Sequence, residues 1–250
     1  MRLRQVEDDR RRLRDYWNFL FTISRWSGRP HLHILTQIAE LFNYNLKGLR
    51  ILEVGAGSGA DSAVLSKLGA HAFAVDYATA HMIVKRWGTR LHVHQADGEN
   101  LPFKSGVFDL SFSQGLVEHY RNPDHIIREQ VRVVRKGGFI IIDAPQRYSL
   151  YHLYKSFLVA IKCWPMGWER SYSVFDMRMI AKHYGLKLVK TTGWGSWPIS
   201  AGRIRELKCR GWPLLPEGLL KVAEENWRKI EGSKVSSYIG MNITAVFMKN

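Results

Sequence analysis

Cysteine is nearly absent from this 250-residue sequence, which contains only Cys163 and Cys209. Neither cysteine has a partner at the spacing of a metal site, and two isolated cysteines make no disulfide framework. The sequence therefore excludes the disulfide-rich secreted domains and the cysteine-rich zinc modules. This cysteine usage is typical of a reducing compartment, and we expect a cytoplasmic protein.

Long apolar runs are also lacking, although hydrophobic residues make up 46% of the chain. A membrane-spanning helix needs about 20 consecutive apolar residues, and the longest runs here are far shorter. The basic start and the apolar residues 19–23 resemble a signal peptide, but acidic residues at 7–9 interrupt the basic part. We therefore expect no signal peptide and no membrane span, and the apolar content is sufficient for a sizeable buried core.

Acidic residues are too few to balance the basic ones: 37 lysines and arginines stand against 22 aspartates and glutamates, and the net charge is +15. Residues 51–144 hold ten of each sign, so the flanking parts carry the whole excess. A positive surface favours an anionic partner, such as nucleic acid, an anionic membrane surface, or a substrate with phosphate or carboxylate groups. General solubility is the alternative explanation.

Hydrophobic periodicity predicts two helices, Arg10–Ser24 and Leu32–Leu46, before this neutral stretch. Strands and helices then alternate with short loops, a pattern typical of a parallel sheet covered by helices on both faces. The predicted strands are Arg50–Val54, Ala70–Val75, Leu91–Gln95, Phe108–Ser113, Gly138–Asp143, Leu186–Thr192 and Ile243–Met248. The predicted helices among them are Ser58–Leu68, Thr79–Trp87, Asp124–Val134, Ser149–Lys162, Met177–Tyr184 and Pro216–Ile230.

The first motif is a strand that runs directly into closely spaced glycines and then a helix, over residues 51–59. Glycines allow a tight turn and a close approach of backbone to ligand, and the helix start offers free N–H groups. Taken alone, this motif is ambiguous. Gly55, Gly57 and Ala60 also satisfy the dinucleotide fingerprint, and Asp76 lies 21 residues past Gly55, close to the spacing of an NAD-binding acid.

Acidic residues at successive strand ends decide between these interpretations. Asp76 ends the second predicted strand, where its carboxylate can accept two hydrogen bonds from a ribose diol. Asp97 follows the third strand, and Asp109 opens the fourth, which leads into Gln114–His119. The segment Val131–Gly138 then leads into the fifth strand. A glycine loop and three acids in this order are not expected by chance.

In these motifs the chain resembles the class I S-adenosylmethionine-dependent methyltransferases, specifically the branch that includes ubiquinone and menaquinone C-methyltransferases. The resemblance covers about residues 48–145 and the last two strands. It implies a Rossmann-like α/β fold, with helices on both faces of a seven-stranded, mostly parallel sheet whose last strand is antiparallel. We expect a single methyltransferase domain over residues 1–250, with a helical cap at 1–47, the cofactor-binding core at 48–145, and inserts at 146–175 and 193–240.

The resemblance also implies how S-adenosylmethionine is bound. The end of the first predicted strand and its glycine loop would line the methionine part of the cofactor. The end of the second strand would hold the ribose and the adenine, and the end of the third strand would hold the adenine amino group. The end of the fourth strand would face the sulfonium. The residues concerned are, in that order, Glu53, Gly55, Ala56, Gly57, Ser58 and Gly59; Asp76, Tyr77 and Met82; Asp97, Gly98 and Glu99; and Gln114 and Gly115. Met82 lies about one residue further from Asp76 than in the family pattern. The carboxylates also have structural interpretations, as strand-end residues, helix caps or turn residues.

Methyl transfer from a sulfonium is an in-line displacement, and the protein mainly supplies proximity and alignment. A base is needed only if the acceptor must lose a proton. His119, just past the fourth predicted strand, is the candidate base because histidine titrates near neutral pH. The alternative is a histidine that hydrogen-bonds to fix its own loop.

Some quinone O-methyltransferases carry a Glu-x-x-Glu-His metal site at the same place in the chain. In this sequence the first position is Gly115, so that only Glu118 and His119 are left. Protein metal sites usually use three or four ligands from side chains, and two do not make one. We therefore predict no metal.

Both inserts are expected to overhang the active site, because ligands of open parallel sheets bind beyond the carboxyl ends of the strands. The first insert contains a helical apolar stripe, Leu150, Leu153, Tyr154, Phe157, Leu158 and Ile161. We expect this stripe to pack on the core as a lid, with Lys155 off the stripe; a hydrophobic substrate wall and a membrane-surface helix are the alternatives. The second insert interleaves basic residues with tryptophans, as in a surface for phosphates and bases or in a solvated loop.

The leading functional prediction is an enzyme that methylates a small or lipid-like acceptor, anionic or hydrophobic, on oxygen, carbon or nitrogen. The second hypothesis is an RNA methyltransferase that uses the basic appendages. The third is a non-catalytic cofactor-binding or scaffold protein. A nicotinamide oxidoreductase is the fourth, and it would leave Asp97 without a role.

Overall fold

A computed structural model describes residues 29–88, 91–162, 168–195 and 217–250. The predicted helix Arg10–Ser24 and both cysteines lie outside these residues, as do most of the basic residues and tryptophans of the second insert. In the part of the chain that is described, no helix is both long and apolar enough to cross a bilayer.

All seven predicted strands are present. They are β1 (Arg50–Val54), β2 (His71–Asp76), β3 (His92–Gln95), β4 (Phe108–Gln114), β5 (Val134–Pro145), β6 (Leu186–Trp194) and β7 (Asn242–Lys249). The sheet order is β3-β2-β1-β4-β5-β7-β6, mostly parallel with antiparallel pairing among the C-terminal strands. The predicted fold class is therefore confirmed.

Helices follow most strands, as the alternating pattern predicts. They are α1 (Leu32–Leu41), α2 (Ala60–Lys67), α3 (Ala80–Trp87), α4 (Asp124–Val133), α5 (Leu150–Ala160), α6 (Val174–His183), α7 (Glu217–Ile230) and α8 (Ser236–Ile239), with a 3-10 turn at Val117–His119. The prediction for α1 was wrong at its end. Asn43 and Tyr44 have φ values of 49° and 61°, and the Tyr44 N–H donates to the Ala39 carbonyl at 2.7 Å, which terminates the helix.

The described residues belong to two compact units, and the first contains β1–β4, α1–α4 and the beginning of β5 as far as Ile140. Its central strands are parallel, with Glu53 of β1 beside Ala74 of β2 and Phe112 of β4. At the opposite end of the strands, Asp109 accepts hydrogen bonds from the Arg50 N–H at 2.8 Å and from Arg135 at 2.7 Å. Asp109 therefore has a structural role, as one of its interpretations predicts.

The second unit contains residues 115–121, the end of β5, helices α5–α8, and β6 and β7 up to Met248. Asp143 of β5 is fully buried and accepts hydrogen bonds from three side chains of the neighbouring strands, Trp194, Asn242 and Thr244. These bonds satisfy a carboxylate that would otherwise be costly to bury. The carboxylate therefore ties β5, β6 and β7 together.

The helix α5 was predicted to pack its apolar stripe on the core, and this prediction is wrong. Leu153 and Phe157 are 65% and 53% exposed, whereas Lys155 is only 3% exposed. The side of α5 that faces inward is therefore polar, because the Lys155 ammonium has partners there: it donates to the Ser171 hydroxyl at 2.8 Å and lies 3.4 Å from a carboxylate oxygen of Glu169.

Candidate functional site

Three glycines shape the turn between β1 and α2. Gly55, Gly57 and Gly59 have φ values of 74°, 52° and 68°, a left-handed conformation that other residues rarely adopt. The N–H groups of Gly55 and Ala56 donate to the Val75 carbonyl in β2, at 2.8 and 3.1 Å. The turn therefore lies at the carboxyl ends of β1 and β2, where open parallel sheets bind ligands.

Asp76 joins this turn to the end of β2. One carboxylate oxygen accepts the Gly57 N–H at 2.9 Å, and the other accepts the N–H groups of Ala78 and Thr79 at 2.7 Å each. A carboxylate offers about four acceptor positions, so these three bonds leave one position for a ligand hydroxyl. A second ribose hydrogen bond would have to share a position with one of the three backbone donors.

Two residues that no sequence pattern identified hold the other side of the turn. The Thr79 hydroxyl donates to the Gly57 carbonyl at 2.6 Å, and the Trp87 indole donates to the Ser58 carbonyl at 2.8 Å. Thr79 immediately precedes α3, so its position before a helix is a signal that could have identified it. Trp87, at the end of that helix, carries no local signal.

Glu53, predicted to line the methionine part of the cofactor, is buried at the end of β1. One of its oxygens accepts from both the backbone N–H and the hydroxyl of Ser62, at 3.0 and 2.5 Å. Burial raises the pKa of Glu53 well above its usual range, and the negative charges of Asp61 and Asp76 raise it further. The raised pKa favours the neutral form of Glu53, so the negative charge near the glycine turn comes from Asp61 and Asp76.

The segment after β3 forms its own tight turn. An oxygen of Asp97 accepts the Glu99 N–H at 3.0 Å. A Cβ on Gly98 would lie 2.8 Å from Ile126 and 3.1 Å from Val54, so the close approach of these side chains requires glycine here. Asp97 and Gly98 thus have clear structural roles, and their contacts with a cofactor stay a prediction.

The other predicted residues lie at the ends of β2 and β4. Tyr77 is 40% exposed after β2, and Met82 is half-buried in the first turns of α3. Gln114 ends β4, and its buried side-chain oxygen has no hydrogen-bond partner among the described residues. Gly115 follows with φ 61° and belongs to the second unit, where its N–H donates to the Asp143 carbonyl at 3.1 Å.

The candidate base lies in a buried cluster of the second unit, which we call the Glu118 cluster: Glu118, His119, Glu169 and Lys155. Residues 168–172 run along the 3-10 turn, where the Arg170 N–H donates to the Glu118 carbonyl at 2.9 Å. One possible ligand atom from each of Glu118, His119 and Glu169 lies within 4.8 Å of the others. The Nε2 atom of His119 is 3.9 Å from Glu169, too far for a hydrogen bond.

Burial dominates the proton affinities in this cluster. The pKa of His119 is lowered to about 4, mainly by burial; a hydrogen bond with the Trp168 backbone acts in the opposite direction, and the charge of Lys155 contributes to the lowering. Burial also raises the pKa of Glu118 well above its usual range and, less strongly, that of Glu169. His119 is therefore neutral at physiological pH and does not titrate near pH 7, in contrast to the expectation for an exposed histidine.

Glu169 and Lys155 were not among the predicted site residues. Glu169 lies 50 residues beyond His119, and Lys155 has the spacing of a solvent-facing residue beside an apolar stripe, so neither carries a local signal. The prediction that no metal binds counted only Glu118 and His119 and did not include Glu169. It stays a prediction.

Comparisons with known proteins identify similar methyltransferases. Residues 52–142 match the family model described as a methyltransferase domain. The chain is 30% identical over 135 residues to a ubiquinone biosynthesis O-methyltransferase of Maricaulis maris, with 49% of each chain covered. It is 36% identical over 100 residues to a demethylmenaquinone methyltransferase of Clavibacter sepedonicus, covering 38% of this chain and 40% of the other. The chain thus spans about half the length of these curated relatives or less.

A solved structure supports the same fold over nearly the whole chain. A SAM-dependent methyltransferase from Thermotoga maritima superposes with a TM-score of 0.60 at 18% identity, covering 94% of this chain and all of that one. An identity this low shows a common fold and leaves the substrate open.

Proposed function

Because this chain belongs to the class I S-adenosylmethionine-dependent methyltransferases, we propose that it transfers the methyl group of S-adenosylmethionine to a small or lipid-like acceptor of the quinone type. The observation that carries this proposal is the hydrogen bond from the Gly57 N–H to Asp76. It links the glycine turn to the acid at the end of the next strand, within the residues that match the methyltransferase domain.

Charge favours S-adenosylmethionine over a dinucleotide at this turn. Glu53, Asp61 and Asp76 lie close enough for the charges of the two aspartates to affect the proton affinity of Glu53. A pyrophosphate beside the two aspartates would be repelled, whereas the sulfonium and ammonium groups of S-adenosylmethionine would be attracted. Asp76 has an acceptor position for a ribose hydroxyl, and the unpartnered oxygen of Gln114 could accept from the cofactor's amino group.

The remaining roles in cofactor binding follow the family resemblance. In this proposal, Gly55, Ala56, Gly57, Ser58 and Gly59 contact the methionine part through backbone N–H groups, as at other glycine turns that begin a helix. Tyr77 and Met82 contact the adenine, and Asp97, Gly98 and Glu99 hold its amino group. The division of the chain into a cap, a core and two inserts belongs to the same proposal.

His119 is proposed as the base that takes a proton from the acceptor. Its low pKa of about 4 keeps the imidazole neutral, which is the form that accepts a proton. In-line transfer from the sulfonium otherwise requires only that the two reactants be held in alignment, which accounts for about 7–11 kcal/mol of barrier lowering in well-oriented systems. The other interpretation is a histidine that only fixes its loop, and the effect of a His119 substitution on kcat distinguishes the two.

The acceptor class rests on the relatives and on one surface. The two curated relatives reported above are named for ubiquinone biosynthesis and for demethylmenaquinone. Leu150, Leu153 and Phe157 give α5 an exposed apolar side, which suits an apolar acceptor. The comparisons give no support to RNA methylation or to a non-catalytic scaffold.

We expect the purified protein to bind S-adenosylmethionine with micromolar affinity and NADH not at all, because the acidic glycine turn repels a pyrophosphate. Calorimetric titration with both compounds tests this. Transfer of a labelled methyl group to hydroxylated quinone precursors tests the acceptor class. Preference for NADH would contradict the proposed cofactor, and labelling of RNA alone would contradict the acceptor.

Replacing His119 with glutamine is expected to lower kcat by about 100-fold or more while leaving the affinity for S-adenosylmethionine unchanged, because a general base contributes about 10²–10⁴-fold. In the unmodified protein the base is lost only as pH falls through about 4, so kcat stays flat from pH 8 to 5. His125→Gln, a change at an exposed histidine, is the matched control. Unchanged turnover in a folded His119→Gln would contradict the assignment, and an inflection near pH 6.5 that this variant abolishes would contradict the low pKa while keeping His119 as the base.

A further inference from the structure

The Glu118 cluster contains an internal cation in addition to its three possible metal ligands. The Lys155 ammonium lies 3.4 Å from Glu169 and donates to the Ser171 hydroxyl at 2.8 Å. Its charge also acts on Glu118 and His119. The ammonium group therefore interacts with the same carboxylates that would bind a divalent ion.

The burial of Lys155 is unusual because α5 exposes apolar side chains at the same time. Lys155 is 3% exposed, whereas Leu150, Leu153 and Phe157 are each more than half exposed. The hydrophobic effect alone would bury the apolar side chains of the helix and expose its lysine. Burying an ammonium costs several kcal/mol unless it is paired and hydrogen-bonded. The orientation of α5 is therefore determined by the pairing of Lys155 with the cluster.

A divalent metal does not fit this cluster while Lys155 occupies it. The Glu-x-x-Glu-His pattern is broken by Gly115, and Glu169 supplies a replacement carboxylate that is already paired with the ammonium. A divalent ion bound to Glu169 would lie beside that ammonium at low dielectric, where two positive charges repel strongly. The Oε2 atom of the buried Glu118 has no hydrogen-bond partner among the described residues.

We propose that Lys155 is the resident cation of the Glu118 cluster, a positioning residue that takes the place of a divalent metal and holds Glu169 beside His119. Methyl transfer by this chain is then independent of metal ions. That consequence rests on the proposed function, whereas the occupancy of the cluster by Lys155 does not.

The proposal predicts a gain of metal binding when the ammonium is removed. Lys155→Ala opens space beside Glu118, His119 and Glu169, and we expect it to bind one Mn²⁺ at least about 10-fold more tightly than the unmodified protein, because the repulsion is gone. Titration with Mn²⁺, followed by electron paramagnetic resonance of the free ion, measures both affinities without any acceptor. Lys155→Arg keeps a cation and is expected to gain nothing. The double change Lys155→Ala with Glu169→Gln removes a ligand and is expected to lose the gained site.

Two results would overturn the proposal. One is stoichiometric Mn²⁺ binding by the unmodified protein that Glu118→Gln abolishes. The other is a folded Lys155→Ala, judged by circular dichroism, that gains no affinity for Mn²⁺. If the alanine variant does not fold, Lys155→Gln provides the same comparison. The Mn²⁺ titration of the unmodified protein tests the proposal without either variant.

Activity gives an independent readout. Turnover that is unaffected by EDTA supports the proposal, and turnover that EDTA abolishes and Mg²⁺ restores contradicts it. Absence of methyl transfer under all conditions would count against the proposed function alone, because the Mn²⁺ titrations do not depend on it.

Discussion

Asp76→Ala is expected to weaken S-adenosylmethionine binding by about 30- to 150-fold, because a hydrogen bond to a charged group contributes about 2–3 kcal/mol when its partner would otherwise be unsatisfied. The change also removes the acceptor of the Gly57, Ala78 and Thr79 N–H groups, so the glycine turn loses one of its links to the end of β2. Calorimetric titration of the variant measures the loss.

Asp109→Ala is the matched control for this experiment. Asp109 is also a strand-end carboxylate of the first unit, but its partners are Arg50 and Arg135 at the opposite end of the strands. We expect it to lower the free energy of unfolding and to leave cofactor affinity within a few-fold of the unmodified protein. Equal losses of affinity in the two variants would show that Asp76 acts only through stability. Full affinity in a folded Asp76→Ala would remove Asp76 from the cofactor site.

Gly193→Ala is expected to reduce the free energy of unfolding by at least about 3 kcal/mol or to prevent folding. The added methyl group would clash with backbone atoms, which cannot move aside as a flexible side chain can. A Cβ at this position of β6 would lie 1.9 Å from the Ser236 carbonyl oxygen in α8. The Ser236 hydroxyl also bonds both the N–H and the carbonyl of Gly193, at 3.0 and 2.9 Å, so the two segments cannot separate without losing these bonds. Urea denaturation monitored by tryptophan fluorescence measures the change.

Gly185→Ala separates steric clash from backbone strain. Gly185 has φ 63°, and a Cβ there would meet no atom within 4 Å. We expect only the cost of placing a side chain in the left-handed region, about 1–2 kcal/mol. If Gly193→Ala costs no more than this control, the close contact of β6 with α8 is not rigid in solution.

The sheet and the glycine turn could be predicted because their signals are local. The strand β1 is buried at four of its five residues and appears as a short apolar run, so its predicted bounds are those of the structure. Asp76 and Asp97 are recognisable because each stands at or just after the end of a predicted strand. The sequence does not indicate the second role of Asp76, which is to accept hydrogen bonds from the backbone of Gly57 and of the turn after β2.

The Glu118 cluster could not be predicted because its members are distant in sequence. Periodicity places Lys155 on the solvent side of α5, and only its pairing with Glu169 reverses that orientation. The early end of α1 has a similar cause, since the left-handed Asn43 and Tyr44 interrupt a sequence whose apolar spacing continues. Tertiary contacts and backbone conformation override periodicity in both cases.

The glycine turn is held by hydrogen bonds within the protein: the Asp76 carboxylate accepts from it, and the Thr79 and Trp87 side chains donate to it. A turn that is fixed in this way is pre-organised, so little conformational entropy is lost when a ligand settles against its backbone. The affinity of the site then depends on shape and charge more than on induced fit. Loosening any one of these three attachments should therefore slow association and weaken binding, even where the substituted side chain does not touch the ligand.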